Sequence, residues 1–150
     1  KFTRVLNNTA ANHISGFKDN LHGPIKSFQV KSVDIKKIIK KYDLIKLDAE
    51  GSEGKIINRL NKKELKKADI ICEVSGLDNA NKIFNHCKKN KINIFSHKIG
   101  WNKVLKLEDM PIHHTEGLIF ISSKNIKNFL PKKTNKINKR IVKVLKNYEN

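Results

Sequence analysis

The sequence is poor in the residues that mark several common protein classes. It has two cysteines and one tryptophan among 150 residues. No apolar run approaches the roughly 20 residues that a membrane-spanning helix needs, and none near the start resembles a secretory signal. The cysteines, Cys72 and Cys87, lack metal-ligating partners at short spacing. We therefore expect two reduced core cysteines in a cytoplasmic protein and exclude a disulfide framework and a transmembrane segment.

Arginine is also scarce, and this affects what the high positive net charge indicates about binding partners. The formal net charge is +18, but only Arg4, Arg59 and Arg140 among the 32 basic residues are arginine. Proteins that bind phosphates and bases rely on arginine and on stacked aromatic rings. Lysine, asparagine and isoleucine are all encoded by A/T-rich codons, so base composition accounts for the charge. No specific nucleic-acid partner is expected.

The end of the chain is its most basic part. Residues 122–150 contain nine basic residues and one acid, Glu149. Apolar residues recur there at helical spacing. We assign residues 123–150 to a basic C-terminal helix or tail. A solvated helix or frayed end is the simpler interpretation, and contact with an anionic surface is the alternative.

Strand and helix patterns alternate through the middle of the chain. Strands are predicted at residues 28–33, 43–48, 68–74, 92–97, 103–107 and 117–122, and helices at 34–39, 52–60, 62–67 and 79–90. Several strands are apolar at consecutive positions, which is typical of strands covered on both sides. The pattern predicts an α/β fold: a mainly parallel sheet with an antiparallel edge hairpin and helices on both faces.

Two of the predicted strands end in acidic residues. Residues 46–53 have the sequence Lys-Leu-Asp-Ala-Glu-Gly-Ser-Glu, and Glu73 ends the next strand. Ligands of open α/β sheets bind beyond the carboxyl ends of the strands, and Lys46 and Asp48 share one strand face. With Glu50 and Glu73 they form a candidate general-base or Mg²⁺ site. Alternatively, Asp48 or Glu73 is the charge partner of a buried Lys46.

Two further groups of polar residues have simpler interpretations. Glu53 falls in the first turn of a predicted helix, where a carboxylate stabilises the positive end of the helix dipole. His113 and His114 could bind a metal together with Glu116 or His97. Adjacent residues of an extended chain point in opposite directions, so a polar loop is the favoured interpretation.

The segment 43–53 resembles the characteristic motif of the FkbM-type S-adenosylmethionine-dependent methyltransferases. In that family a hydrophobic strand runs into Lys-x-Asp-x-Glu-Gly-x-Glu. Residues 33–34, 70–73 and 117–121 resemble the flanking parts of the family pattern, so the resemblance spans about residues 28–122. It implies a partial Rossmann-like class I methyltransferase sheet.

The same resemblance implies methyl transfer from S-adenosylmethionine to a hydroxyl of a sugar, a glycan or a small metabolite. Asp48 would lie near both the methyl donor and the acceptor. It would therefore also contribute to cofactor binding. Glu50 and Glu73 would position the acceptor or a Mg²⁺ ion. Lys46 would hold these carboxylates or lower the pKa of the acceptor.

The family's glycine-rich cofactor loop has no counterpart here, because no Gly-x-Gly sequence follows a predicted strand. Together with a start at Lys1, this predicts that residues 1–122 are the C-terminal part of a methyltransferase domain that is inactive alone. The alternative is a non-catalytic basic module that binds nucleic acid or another polyanion. A Mg²⁺-dependent hydrolase is a third reading of the carboxylates. The strand–turn motif favours the methyltransferase, because a charge-driven binder would not need it.

Overall fold

The computed structural model describes residues 1–6, 12–15 and 23–124. Its strands are β1 (Phe2–Val5), β2 (His13–Ile14), β3 (Ile25–Phe28), β4 (Leu44–Leu47), β5 (Asp69–Glu73), β6 (Asn93–Ser96), β7 (Asn102–Lys103) and β8 (Leu118–Ser122). Its α-helices are α1 (Ile35–Ile38), α2 (Glu53–Ile57), α3 (Lys62–Leu65) and α4 (Leu77–Asn90). The basic segment predicted at 123–150 lies outside the described residues from 125 onward.

The four described helices lie where the sequence predicts, with ends that differ from the prediction by up to three residues. Asp34 caps α1 by accepting a hydrogen bond from the Lys36 amide at 3.0 Å, because helix starts leave their first amides unpaired. Lys91 caps the C-terminus of α4, and its φ of 56° is left-handed. The strand predicted at 28–33 is wrong, since β3 ends at Phe28 and no regular structure follows before α1. None of the described helices is long and apolar enough to cross a membrane.

The strands form two sheets, and the prediction of a mainly parallel Rossmann-like sheet is wrong. A small antiparallel sheet has the order β2-β1-β3, and a five-stranded sheet has the order β4-β5-β8-β6-β7. In the larger sheet only β4 and β5 pair in parallel. The β5–β8, β6–β8 and β6–β7 pairs are all antiparallel, and β6–β7 lies at one edge.

The connection between β6 and β8 explains the mixed sheet. It contains β7 and short 3-10 turns but no α-helix, whereas a parallel return needs a crossover that is usually helical. The chain therefore re-enters the sheet antiparallel, between β5 and β6. Because β8 opposes both neighbours, β4, β5 and β6 point the same way, and we call the edge where they end the carboxyl edge.

The described helices share their core with one face of the five-stranded sheet. The core cluster joins the apolar positions of the helices to alternate residues of the strands: Ile35, Ile39, Ile57, Leu60, Leu65, Ala80, Ile83, Cys87, Ile70, Cys72, Ile94, Ile119 and Ile121. The opposite face carries Lys46, Ile71, Phe120 and Phe95, which follow one another across the strands. None of these four belongs to that core. The expectation of helices on both faces of the sheet is therefore wrong for the described residues. An apolar run such as Ile70–Cys72 does not require a helix on each face.

Gly117 has a conformation that favours glycine, with φ 95° and ψ −155°. A Cβ atom there would lie 2.9 Å from the Cβ of His97. We expect Gly117→Ala to lower the free energy of unfolding by about 2–4 kcal/mol, measured by denaturant titration. Adding His97→Ala should restore part of the loss, because it removes the overlap and keeps the strained φ. Unchanged stability of the single variant would contradict this packing.

Candidate functional site

The loop that follows β4 is organised by a buried carboxylate. Glu53 is only 2% exposed, and its Oε1 accepts a hydrogen bond from the Ala49 amide at 2.6 Å. The Gly51 amide reaches both carboxylate oxygens, at 3.3 and 3.1 Å. A buried carboxylate needs such donors, because it has lost its hydration. Glu53 therefore folds the loop back onto the start of α2.

Asn79 of α4 completes this arrangement. Its Nδ2 donates to Glu53 Oε2 at 2.7 Å, and its Oδ1 accepts from the Gly54 amide at 2.6 Å. The side chain is 7% exposed. A Cβ at Gly54 would lie 3.0 Å from the Cβ of Lys82, so a glycine lets α2 and α4 approach closely. The loop is thus fixed from two elements.

Sequence reasoning assigned Glu53 only to the helix dipole and did not identify Asn79. The residues lie 26 positions apart, and nothing in the local pattern links them. The available signal was the glycine on either side of Glu53, at Gly51 and Gly54, which indicates close packing of backbone around that carboxylate. The partner of the carboxylate could not be read from the sequence.

Lys46, Asp48 and Glu73 come together at the carboxyl edge. Leu47 pairs with Cys72, so the next positions along the two parallel strands, Asp48 and Glu73, lie side by side. Lys46 Nζ donates to Asp48 Oδ2 at 2.8 Å. All three lie on the sheet face opposite the helical core, since side chains alternate along a strand. The structure therefore assembles three of the four predicted site residues.

Lys46 is not the buried lysine that one interpretation required. Its side chain is 65% exposed, and that of Asp48 is 37% exposed. The hydrogen bond that Lys46 donates to Asp48, followed by the charges of Asp48 and Glu73, raises the pKa of Lys46. Exposed ion pairs contribute little to stability. The Lys46–Asp48 pair therefore adds little to the stability of the fold, and its main effect is to bring a cation next to carboxylates.

Glu50 occupies a different position from the other three residues. It is half-buried, and its φ of 49° is left-handed, which is uncommon outside glycine. Gly51 follows with a φ of 95°. The chain leaves the strand direction here, so strand periodicity no longer places Glu50 beside Asp48. The structure places Glu50 on the loop between β4 and α2.

A second loop borders the carboxyl edge. The Gly76 amide, just beyond β5, donates to the Ile112 carbonyl at 2.8 Å. The Ile112 amide in turn donates to Glu116 Oε2 at 2.7 Å. Lys98 Nζ lies 3.0 Å from the other oxygen of Glu116. These bonds hold residues 112–116 next to the end of β5, where they form a rim.

His113 and His114 lie on this rim, and the expectation that their side chains point in opposite directions is wrong. The rings of His113 and His114 do not diverge, because a 3-10 turn begins at His114 and brings their centroids within 4.3 Å. His97 meets Trp101 edge-on at 5.5 Å. Within residues 1–6, 12–15 and 23–124, no three His, Cys, Asp or Glu side chains come close enough to hold a metal ion.

The cysteines lie in the core, as the sequence predicts. Both are unpaired and buried. Burial raises the pKa of Cys87 to about 12, and it raises the pKa of Cys72 well above its ordinary value. Their thiols therefore stay protonated at neutral pH and offer no nucleophile.

No protein-family model matches the chain, and no similar protein was found among curated proteins or solved structures. The resemblance of residues 43–53 to a methyltransferase motif therefore stays an expectation.

Proposed function

We propose that this protein takes part in S-adenosylmethionine-dependent O-methylation and that the carboxyl edge binds the acceptor hydroxyl. One observation carries the proposal: Asp48 and Glu73 lie side by side at strand ends, with Lys46 2.8 Å from Asp48. Two adjacent carboxylates repel each other unless a cation stands between them. An accessible group of this kind is suited to bind hydroxyls and to accept a proton.

Each residue has a defined task in this proposal. Asp48 accepts the proton of the attacking hydroxyl, which makes the oxygen a better nucleophile. Glu73 accepts a hydrogen bond from a neighbouring hydroxyl and fixes the orientation of the acceptor. Lys46 keeps the two carboxylates together. A sugar or polyol presents adjacent hydroxyls, to which two neighbouring carboxylates can each form a hydrogen bond, so we propose that class of acceptor.

The cofactor would supply an electrophilic methyl group on a sulfonium, whose positive charge suits an acidic edge. Among the described residues, however, no glycine-rich loop follows a strand. The carboxylate of Asp34, at the start of α1, is already engaged by the Lys36 amide and by Arg59 at 3.0 Å. We therefore assign no adenosine-binding residue, and only Asp48 is proposed to face the methyl donor.

The test is methyl transfer by the complete gene product, including any residues encoded before Lys1. S-Adenosylmethionine labelled in its methyl group is incubated with the protein and a panel of methyl glycosides and small polyols. We expect label in a methyl ether, located by mass spectrometry, and calorimetric binding of the cofactor.

Two outcomes would contradict the proposal. One is the absence of cofactor binding together with the absence of label in any hydroxyl compound. The other is RNA binding that weakens steeply with salt in the same preparation, with no methyl transfer, which would favour the polyanion-binding alternative. A Glu108→Gln variant is the matched control, because Glu108 is an exposed acid that belongs to neither β4 nor β5.

A further inference from the structure

A cavity lies at the opposite end of the five-stranded sheet from the carboxyl edge. It has a volume of about 390 Å³ and lies between the last turns of α4 and the start of β6. Its lining also includes β7 and the residues that follow it: Phe84, Lys88, Lys91, Ile92, Asn93, Ile94, Lys103, Val104 and Leu105. We call it the lysine cavity. None of its residues belongs to the carboxyl edge.

The floor of the lysine cavity is apolar. Ile92, Ile94 and Val104 are 6%, 4% and 7% exposed, whereas Leu105 at the rim is 75% exposed. The Val104 amide donates to the Ile94 carbonyl at 2.8 Å, so the backbone hydrogen bonds beneath the floor are made within the sheet. The floor therefore offers a ligand apolar contact, and Leu105 leaves a large apolar surface uncovered beside it.

The rim of the cavity is cationic, and no acidic residue lines it. Lys88, Lys91 and Lys103 are exposed, and none forms an ion pair with another residue that the structure describes. Lys88 lies over the Phe84 ring, with Nζ 5.5 Å from its centroid. A helix C-terminus favours cations, which accounts for Lys88 but not for Lys103, because Lys103 comes from β7.

We propose that the lysine cavity binds a small organic anion with an apolar body, such as a medium-chain carboxylate dissolved as monomers. The apolar floor would hold the body, and the lysines that line the cavity would attract the anionic end. Like charges brought around one cavity repel each other, and an anion placed between them removes that repulsion. This binding does not depend on the proposed methyl transfer.

The test measures displacement of the fluorescent anion anilinonaphthalene sulfonate from the protein by decanoate. A triple variant replaces Lys88, Lys91 and Lys103 with Gln. A second triple variant, Lys40→Gln with Lys62→Gln and Lys63→Gln, removes the same charge from exposed positions outside the cavity. We expect about tenfold weaker decanoate binding in the first variant, because direct charge contacts are lost, and less than about twofold in the second, where distance and salt screen the effect.

Two comparisons separate this proposal from general attraction to a basic protein. Decyltrimethylammonium has the same chain length and the opposite charge, and we expect it to bind at least about tenfold more weakly than decanoate. Leu105→Gln should weaken the binding of decanoate and leave the binding of inorganic phosphate unchanged. Equal losses in the two triple variants, or equal binding of the two amphiphiles, would overturn the proposal. Circular dichroism and the unfolding temperature confirm that each variant is folded.

Discussion

In the proposed methyl transfer, Asp48→Asn is expected to lower turnover by the complete gene product about 100- to 1,000-fold, the usual contribution of a positioned general base. The substitution keeps the shape of the side chain and removes its ability to take a proton. Lys46 donates to Asp48 at 2.8 Å, and the amide oxygen of Asn can still accept that bond. The acceptor should therefore still bind, so the loss should fall on kcat more than on KM.

The stability of Asp48→Asn separates a catalytic effect from a structural one. The pair with Lys46 is exposed, so we expect the free energy of unfolding to change by less than about 1 kcal/mol. Glu73→Gln should raise KM for the acceptor, because Glu73 is assigned to orientation. Turnover of Asp48→Asn within about threefold of the parent and of Glu108→Gln would remove Asp48 from the mechanism.

The local elements of this chain were predictable because their signals are local. The apolar run at residues 44–47, the capping Asp34 and the helical spacing of α4 each lie within a few residues of the structure that they specify. Neighbouring side chains along one segment determine such elements. The acidic residues at the ends of β4 and β5 were identified in the same way. They come together because β4 and β5 are parallel neighbours.

The sheet topology was not predictable from the same signals. The sequence pattern of β8 is compatible with a parallel or an antiparallel strand, because it is apolar at consecutive positions in either case. Its direction is set by the connection from β6. That connection contains β7 and short turns but no helix, whereas a parallel return would need a helix. The place of β8 between β5 and β6 is a long-range property.

The same distinction applies within the candidate site. Lys46 and Asp48 are two residues apart, so strand periodicity placed them together. The Glu53–Asn79 contact joins α2 to α4 across 26 residues, and no local pattern indicates it. The motif residue that seemed least involved in chemistry is therefore the one on which the position of the loop depends.

Glu53→Ala is expected to destabilise the protein more than any other single change at this site. It leaves the Ala49 and Gly51 amides and the Asn79 side chain without their acceptor in a buried location. Each unsatisfied buried donor costs about 1–3 kcal/mol. We expect a loss of about 3–5 kcal/mol, near the upper end for single substitutions, measured by denaturant unfolding.

Glu53→Gln tests whether the carboxylate itself is needed rather than its volume. Both oxygens of Glu53 face donors, Oε1 the Ala49 amide and Oε2 the Asn79 amide group. Whichever way the Gln side chain turns, its NH₂ group meets one of these donors, so a loss of about 2–3 kcal/mol is expected. Asn79→Ala should give a comparable loss, and the Glu53→Gln/Asn79→Ala double variant should lose less than the sum, because the two residues share one hydrogen-bond network. Additive losses would show that Glu53 and Asn79 act separately, and the loop carrying Asp48 would then be held by the backbone amides alone.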